Sequence, residues 1–195
     1  GILEVLASAH RIRDVAGPSV MDLAAIPRFL SALLLWCHGP CPDADADPWA
    51  PLPDCSPKLK QHRDLFRLLG PEPRFYQYRG AKETEHLPAA YLAQELPTGT
   101  NPWHFRHVAD ATSALCLACC ARGLLRLPVF ATAGGSGKAP GVNGQPPFYF
   151  VPLGESLAGT LRSMWSLLDA SVPGTPAWVT LINRCPTVLC PLSSV

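Results

Sequence analysis

The sequence predicts an α+β chain in which N-terminal helices are followed by a four-stranded, mostly antiparallel sheet packed by helices. Three observations predict it. Apolar residues recur at three- and four-residue spacing through the first 39 positions, the helix period. Residues 40–57 break that pattern with six prolines. Beyond them, short alternating or wholly apolar runs bounded by Gly and Pro read as strands, set between two further helix-patterned segments.

In order along the chain, residues 2–15 place Ile2, Leu3, Leu6, His10 and Ile12 on one side of a helix that Gly17-Pro18 ends. Residues 19–39 read as one helix kinked at Pro27 or as two with Pro27 opening the second, because proline fits a first turn but not an interior. Gly39 is the expected C-terminal stop. The 40–57 segment is longer than an ordinary connection, so it reads as a functional loop or as a boundary. The division is thus a helical segment at 1–39, a proline-rich linker or loop at 40–57, and an α+β domain at 58–195 that forms one unit with 1–39. Lys58 to Leu69 resumes a helix, stopped by Gly70-Pro71, and residues 74–80 alternate aromatic and polar side chains as a strand does. Pro88 opens a short helix.

From residue 100 onward, Asp110 or Thr112 caps a helix through Arg122, and Gly123 suits its stop. Residues 124–132 and 147–153 read as strands joined by a glycine-rich loop. A helix over Glu155 to Ala170 carries Leu157, Leu161, Met164, Trp165 and Leu168 on one face. Residues 177–183 and 187–192 close the chain as strands. The order helix, strand, strand, helix, strand, strand over residues 107–192 resembles the roadblock and longin-like scaffolds. That resemblance is one of topology, carried by no sequence motif, and it implies an assembly platform.

Composition narrows the function classes. The chain has 195 residues with 16 Lys+Arg against 15 Asp+Glu, a net charge of +1. No basic cluster is present to neutralise phosphates, so nucleic acid is not expected as a main partner. The longest apolar run, Phe29 to Cys37, is about half of the ~20 residues that a membrane-spanning helix needs. No signal-peptide pattern opens the chain, and Gly1 at its start suggests a piece of something longer. Charged residues make up only 16% of the chain, and 22 prolines are about twice the usual share. A surface so poor in charge favours a contact with another protein.

Eight cysteines stand at 37, 41, 55, 116, 119, 120, 185 and 190. With apolar helices available for a core, they read as reduced, largely buried thiols in a cytoplasmic or nuclear compartment. Zinc is the alternative, since Cys116 and Cys119 have half-site spacing and Cys37 with Cys41, or His104 with His107, offers a second pair. Catalysis by a nucleophile needs a base oriented by a third group. Cys37 beside His38 has the residue types, but neighbours on a helix point about 100° apart. A Cys/His hydrolase would therefore have to be assembled at long range. Ser156 in GESLAG lacks the spacing of a nucleophile elbow and reads as a helix cap.

Two other motifs fail on position. A phosphate loop needs glycine where Thr132 stands, Ser or Thr where Ala139 stands, and a helix where Pro140-Gly141 forbids one. Asp43, Asp45, Asp47 and Asp54 mimic a calcium loop, but its sixth place holds Pro48, which cannot adopt the required turn. What remains is a non-enzymatic protein-interaction domain, or a subunit of a larger assembly, inside the cell. No catalytic residue and no cofactor is assigned. Leu33, Leu34, Leu35 and Trp36, on a helix apolar nearly all round, together with Trp49 in the proline-rich segment, are the expected partner contacts. The alternative for Leu33, Leu34, Leu35 and Trp36 is an internal core.

Overall fold

The first turns of the chain form α1 (Ile2–Ser8), whose N-terminal ammonium and Glu4 close an exposed pair at 2.9 Å. The computed structural model describes residues 1–71, 74–77, 92, 115–130, 149–168, 176, 178 and 179. The elements that follow with bounds among the described residues are α2 (Asp22–His38), α3 (Ser56–Gln61) with a 3₁₀ turn at Arg63–Phe66, α4 (Leu117–Phe130) and α5 (Leu157–Ser166). Helix α2 is the hub, packed against both α4 and α5.

Helix α2 runs unbroken through Pro27, which is buried inside it. Gly39 caps it with φ 79°, a conformation that glycine adopts without Cβ strain, and its N–H donates to the Leu35 carbonyl at 2.8 Å. One face of α2 sends Phe29, Leu30, Leu33 and Leu34 into a core completed by Leu6, Ala9, Leu59, Phe75, Leu157, Leu161, Trp165 and Trp178. Phe29 meets the Phe75 and Trp178 rings edge-on at centroid distances of 5.6 and 5.1 Å, the arrangement that ring quadrupoles favour.

Helix α5 starts where the sequence places its cap: Ser156 Oγ accepts from the Gly159 N–H at 3.1 Å. Two amides of its first turn cross to the chain leaving α1, Leu157 N–H to the Ile12 carbonyl at 2.8 Å and Ala158 N–H to the Ala9 carbonyl at 3.1 Å. These donors have no partner within their own helix, so the crossing satisfies them.

The predicted four-stranded sheet is not found. Among the described residues there is no strand, and the architecture is helical. Residues 124–130, expected as a strand, are the second half of α4. A short apolar run bounded by Gly and Pro fits a buried helix as well as a strand, and here helix packing decides. Gly123, expected as a stop, lies inside α4 because a Cβ there would meet the Leu92 Cβ at 2.7 Å and the Leu92 carbonyl oxygen at 2.8 Å. It is a contact glycine rather than a terminator.

Residues 74–77 turn instead of extending, with Tyr76 at φ 54°. Phe75 and Trp178 hold its ring at 4.8 and 5.6 Å, which keeps a bulky residue in a region that it rarely occupies. Residues 149–153 form neither strand nor helix, and Trp178 and Val179 are helical. With the sheet gone, the topological resemblance to roadblock and longin-like scaffolds falls too. The closing strand at 187–192, the capping residues Asp110 and Thr112 and the short helix opened by Pro88 lie outside the described residues, apart from Leu92.

Candidate functional site: a proline-rich loop on a helical platform

Residues 40–55 contain no helix and no strand, yet the stretch from Asp47 onward is fastened to the helices. Arg162 of α5, only 6% exposed, supplies the main anchor. Its guanidinium donates to the Asp47 carbonyl at 3.1 Å, to Ala50 at 2.9 Å and to Pro51 at 2.7 Å. A planar fork of donors suits three carbonyls converging from one loop, which the point charge of a lysine does not. Ser156 Oγ donates to the Pro48 carbonyl while its lone pair caps α5. Pro48 also lies against Gly159, where a Cβ would approach the proline ring at 3.0 Å.

The acidic residues that imitate a calcium loop shape turns instead. Asp47 Oδ1 accepts from the Trp49 N–H at 2.8 Å, and Asp54 accepts from both the N–H and the hydroxyl of Ser56 at 2.8 Å. Those two Ser56 bonds hold the Asp54 carboxyl below its usual range. The outcome is a loop that presents Trp49 with 46% of its surface exposed, its indole N–H steadied by Glu155 at 3.2 Å.

The other expected contacts sit differently. Leu33 and Leu34 are 0% exposed, enclosed in the core beneath the loop. Leu35 and Trp36 are half-buried and pack against that core. Trp36 is covered by the 3₁₀ turn and α3: the His62 ring stands 5.4 Å away, the Phe66 ring 6.4 Å, and the Lys58 ammonium lies over the indole at 4.8 Å while donating to the Trp36 carbonyl.

At the end of α2 the structure assembles the long-range thiol and imidazole pairing that sequence alone cannot display. Cys55 Sγ lies 3.4 Å from His38 Nε2. The neighbouring Cys55 thiol, with Lys58 helping, lowers the Cys37 pKa against its burial, and Cys37, burial and the Asp54 carboxylate push the Cys55 thiol up. Burial, and then Lys58, keep the His38 imidazole below its usual pKa, opposed by Asp54.

The zinc candidates are only partly brought together. Cys116 is exposed just ahead of α4, where its sulfur accepts from the Cys119 N–H at 3.4 Å, and Cys119 in turn accepts from Arg122 at 3.4 Å. His104 and His107 lie outside the described residues. Among the described residues no three His, Cys, Asp or Glu side chains converge as metal ligands, and no helix is long and apolar enough to cross a membrane.

Sequence reasoning missed the buried pair that joins α2 to α4. Arg126 Nε donates to Asp22 Oδ1 and Nη2 to Oδ2. No local pattern signals it, because its members are 104 residues apart.

Comparison with known proteins places this architecture. A family model described as CRISPR-associated protein Cse1 matches residues 1–187. CRISPR-associated protein CasA/Cse1 of Thermus thermophilus is 34% identical over 188 residues, covering 90% of this chain and 36% of that protein. The crystal structure of Thermus thermophilus CasA superposes with a TM-score of 0.58 at 30% identity, over 83% of this chain and 34% of the other. Thermobifida fusca Cse1 has the same fold at a TM-score of 0.62 and 24% identity, over 83% of this chain and 34% of its own. The chain thus spans about a third of the length of the relatives it matches. A match across nearly the whole sequence, joined to the same helical architecture, shows that the chain belongs to the CRISPR-associated Cse1 family.

Proposed function

We propose that this chain works as part of a non-enzymatic protein subunit of a CRISPR-associated complex, the Cascade assembly to which Cse1 proteins belong. The observation that carries the proposal is the family match over residues 1–187. The same match supports neither the zinc-binding nor the hydrolase alternative. It favours a bacterial cytoplasm and gives no support to a nucleus.

The charge argument against nucleic acid applies to this chain's own balance of 16 cations and 15 anions. It does not extend to the assembly, which binds RNA and DNA. In this reading the chain meets protein neighbours, and the complex meets nucleic acid. Trp49 is the contact residue, because a half-exposed indole on a loop held by Arg162 is ordered before binding and loses little freedom on docking. Leu33 and Leu34 serve as the core under that loop, and Leu35 and Trp36 as its half-buried flank.

The test is reconstitution with the other protein subunits of a Cascade complex and their guide RNA, read by native mass spectrometry. Co-assembly that weakens at least ~10-fold in Trp49→Ala, as expected of an interface anchor, supports the reading. A chain that stays alone in the presence of the assembled subunits overturns it.

A further inference from the structure

Two exposed apolar side chains meet at the start of α5. A Cβ on Gly159 would lie 3.0 Å from the Pro48 Cβ and 3.7 Å from the Gly154 Cα, so the proline-rich loop and the segment entering α5 converge on one helix turn. Trp49 follows Pro48, and Leu153 and Glu155 flank Gly154. Trp49 is 46% exposed and Leu153 75%, and neither packs against the core. The indole N–H bond to Glu155 ties the two segments together.

The polar groups around this apolar surface carry one sign. Residues 40–57 hold Asp43, Asp45, Asp47 and Asp54 and no Lys, Arg or His. Asp43, Asp45, Asp47 and Glu155 are exposed, and none of these four is in an ion pair among the described residues. Arg162 lies beneath the loop, but it is buried and its donors are committed to the Asp47, Ala50 and Pro51 carbonyls.

We propose that Trp49 and Leu153 form a docking face for a basic protein surface, and that an arginine of the partner stacks on the indole while pairing with the Glu155 carboxylate. The inference rests on the reading of Trp49 as the contact residue and adds the chemistry of what it meets. The indole N–H is already bonded to Glu155, so the half-exposed ring offers a partner its electron-rich face. A guanidinium is planar and weakly hydrated, so it can lie on that face while its donor fork reaches a carboxylate, which keeps lone pairs free after accepting one indole bond. The three aspartates steer such a cation toward the site. The same charges repel phosphate, so the occupant is a protein rather than RNA or DNA.

Co-assembly with purified Cascade protein subunits and their guide RNA is measured by native mass spectrometry for the parent, for Trp49→Ala and for the triple variant Asp43→Asn/Asp45→Asn/Glu155→Gln. The glutamine keeps an acceptor for the indole N–H, so the triple variant removes charge and leaves the loop bonded. It is expected to assemble about 10-fold more weakly than the parent at low salt. That gap should close as salt rises from about 0.05 M to about 0.5 M, because exposed charges are then screened. In a second arm, benzoylphenylalanine carried at position 49 is irradiated in the assembled complex and its adduct is mapped by mass. The adduct is expected on a protein subunit within a few residues of an arginine. The inference is overturned if the triple variant assembles as the parent does, if salt leaves the gap unchanged, or if the adduct lies on guide RNA or on an acidic segment. In each of these cases weaker assembly of Trp49→Ala leaves the proposed function standing, whereas a parent chain that does not assemble at all overturns both.

Discussion

Arg126 grips Asp22 with both arms of its guanidinium, Nε to Oδ1 and Nη2 to Oδ2, each at 2.7 Å. The side chains are 5% and 0% exposed. This pair joins the first turn of α2 to the third turn of α4, and water screens almost none of it. Asp22 also lies at the positive end of the α2 dipole, which favours its charge.

Truncating either partner removes a doubly hydrogen-bonded ion pair from a buried site. Asp22→Ala is expected to cost about 3–5 kcal/mol. For a chain of this length that lowers the melting temperature by on the order of 10 °C. The double variant Asp22→Leu/Arg126→Met, which buries apolar groups of similar size, should lose less than either single change. Urea titration of all four proteins checks the order, and a double variant weaker than both singles would refute it.

Gly17 guards the same carboxylate. A Cβ at position 17 would lie 1.8 Å from Asp22 Oδ2 and 2.6 Å from its Cβ. Asp22 cannot step aside while Arg126 holds it, so Gly17→Ala is expected to destabilise by about 1–3 kcal/mol, the range of an overpacked core. Gly1, whose added Cβ would meet nothing within 4 Å, is the control, and Gly1→Ala should leave the urea midpoint unmoved.

Arg162 fixes the loop rather than the core alone. Arg162→Lys keeps the charge but cannot reach three carbonyls at once, so the loop around Asp47, Ala50 and Pro51 should loosen. Limited proteolysis is expected to cut within residues 43–52 several times faster than in the parent, while the helical circular dichroism changes little. Equal cleavage rates would show that the loop is held by its prolines and by Ser156.

His38 makes stability depend on pH with a definite sign. Its pKa in the folded chain is below its usual value, because burial and then the Lys58 charge disfavour the protonated ring. The unfolded chain therefore takes up that proton first as pH falls. Its stabilising contribution is complete above the unfolded pKa of about 6.5 and declines below it, levelling once the folded chain is protonated too. His38→Gln should flatten that part of the profile of urea midpoint against pH. Asp54 acts in a more acid window: its carboxyl is held low by Ser56, so its contribution is lost as pH falls below its unfolded value of about 4.

The elements read correctly from the sequence were those with local chemistry. The period of α2, its Gly39 stop, the Ser156 cap and the irregular stretch, expected over 40–57 and found over 40–55 because Ser56 and Pro57 already belong to α3, each depend on residues within a turn or two. The errors came where distant contacts decide. Gly123 looks like a terminator until Leu92 is seen to occupy the space of its missing side chain. Residues 124–130 look like a strand until Arg126 is seen to need a helix that brings it to Asp22. The Cys116 and Cys119 spacing was plain, whereas the pairing of Cys55 with His38 depends on a chain reversal that no local pattern encodes.

The crossing of α5 onto the chain after α1 also sets a timetable. Ala9 and Ile12 leave the ribosome well before the amides that seek them, on Leu157 and Ala158, which come about 145 residues later. At ordinary rates of synthesis that gap is roughly 7 to 30 s. Throughout it, Leu6 and Ala9 have no Leu157, Leu161 or Trp165 to bury them. Helices α1 and α2 must then wait during synthesis as an unfinished apolar surface, and a synonymous change that slows translation before residue 157 would lengthen that exposure without altering a single side chain.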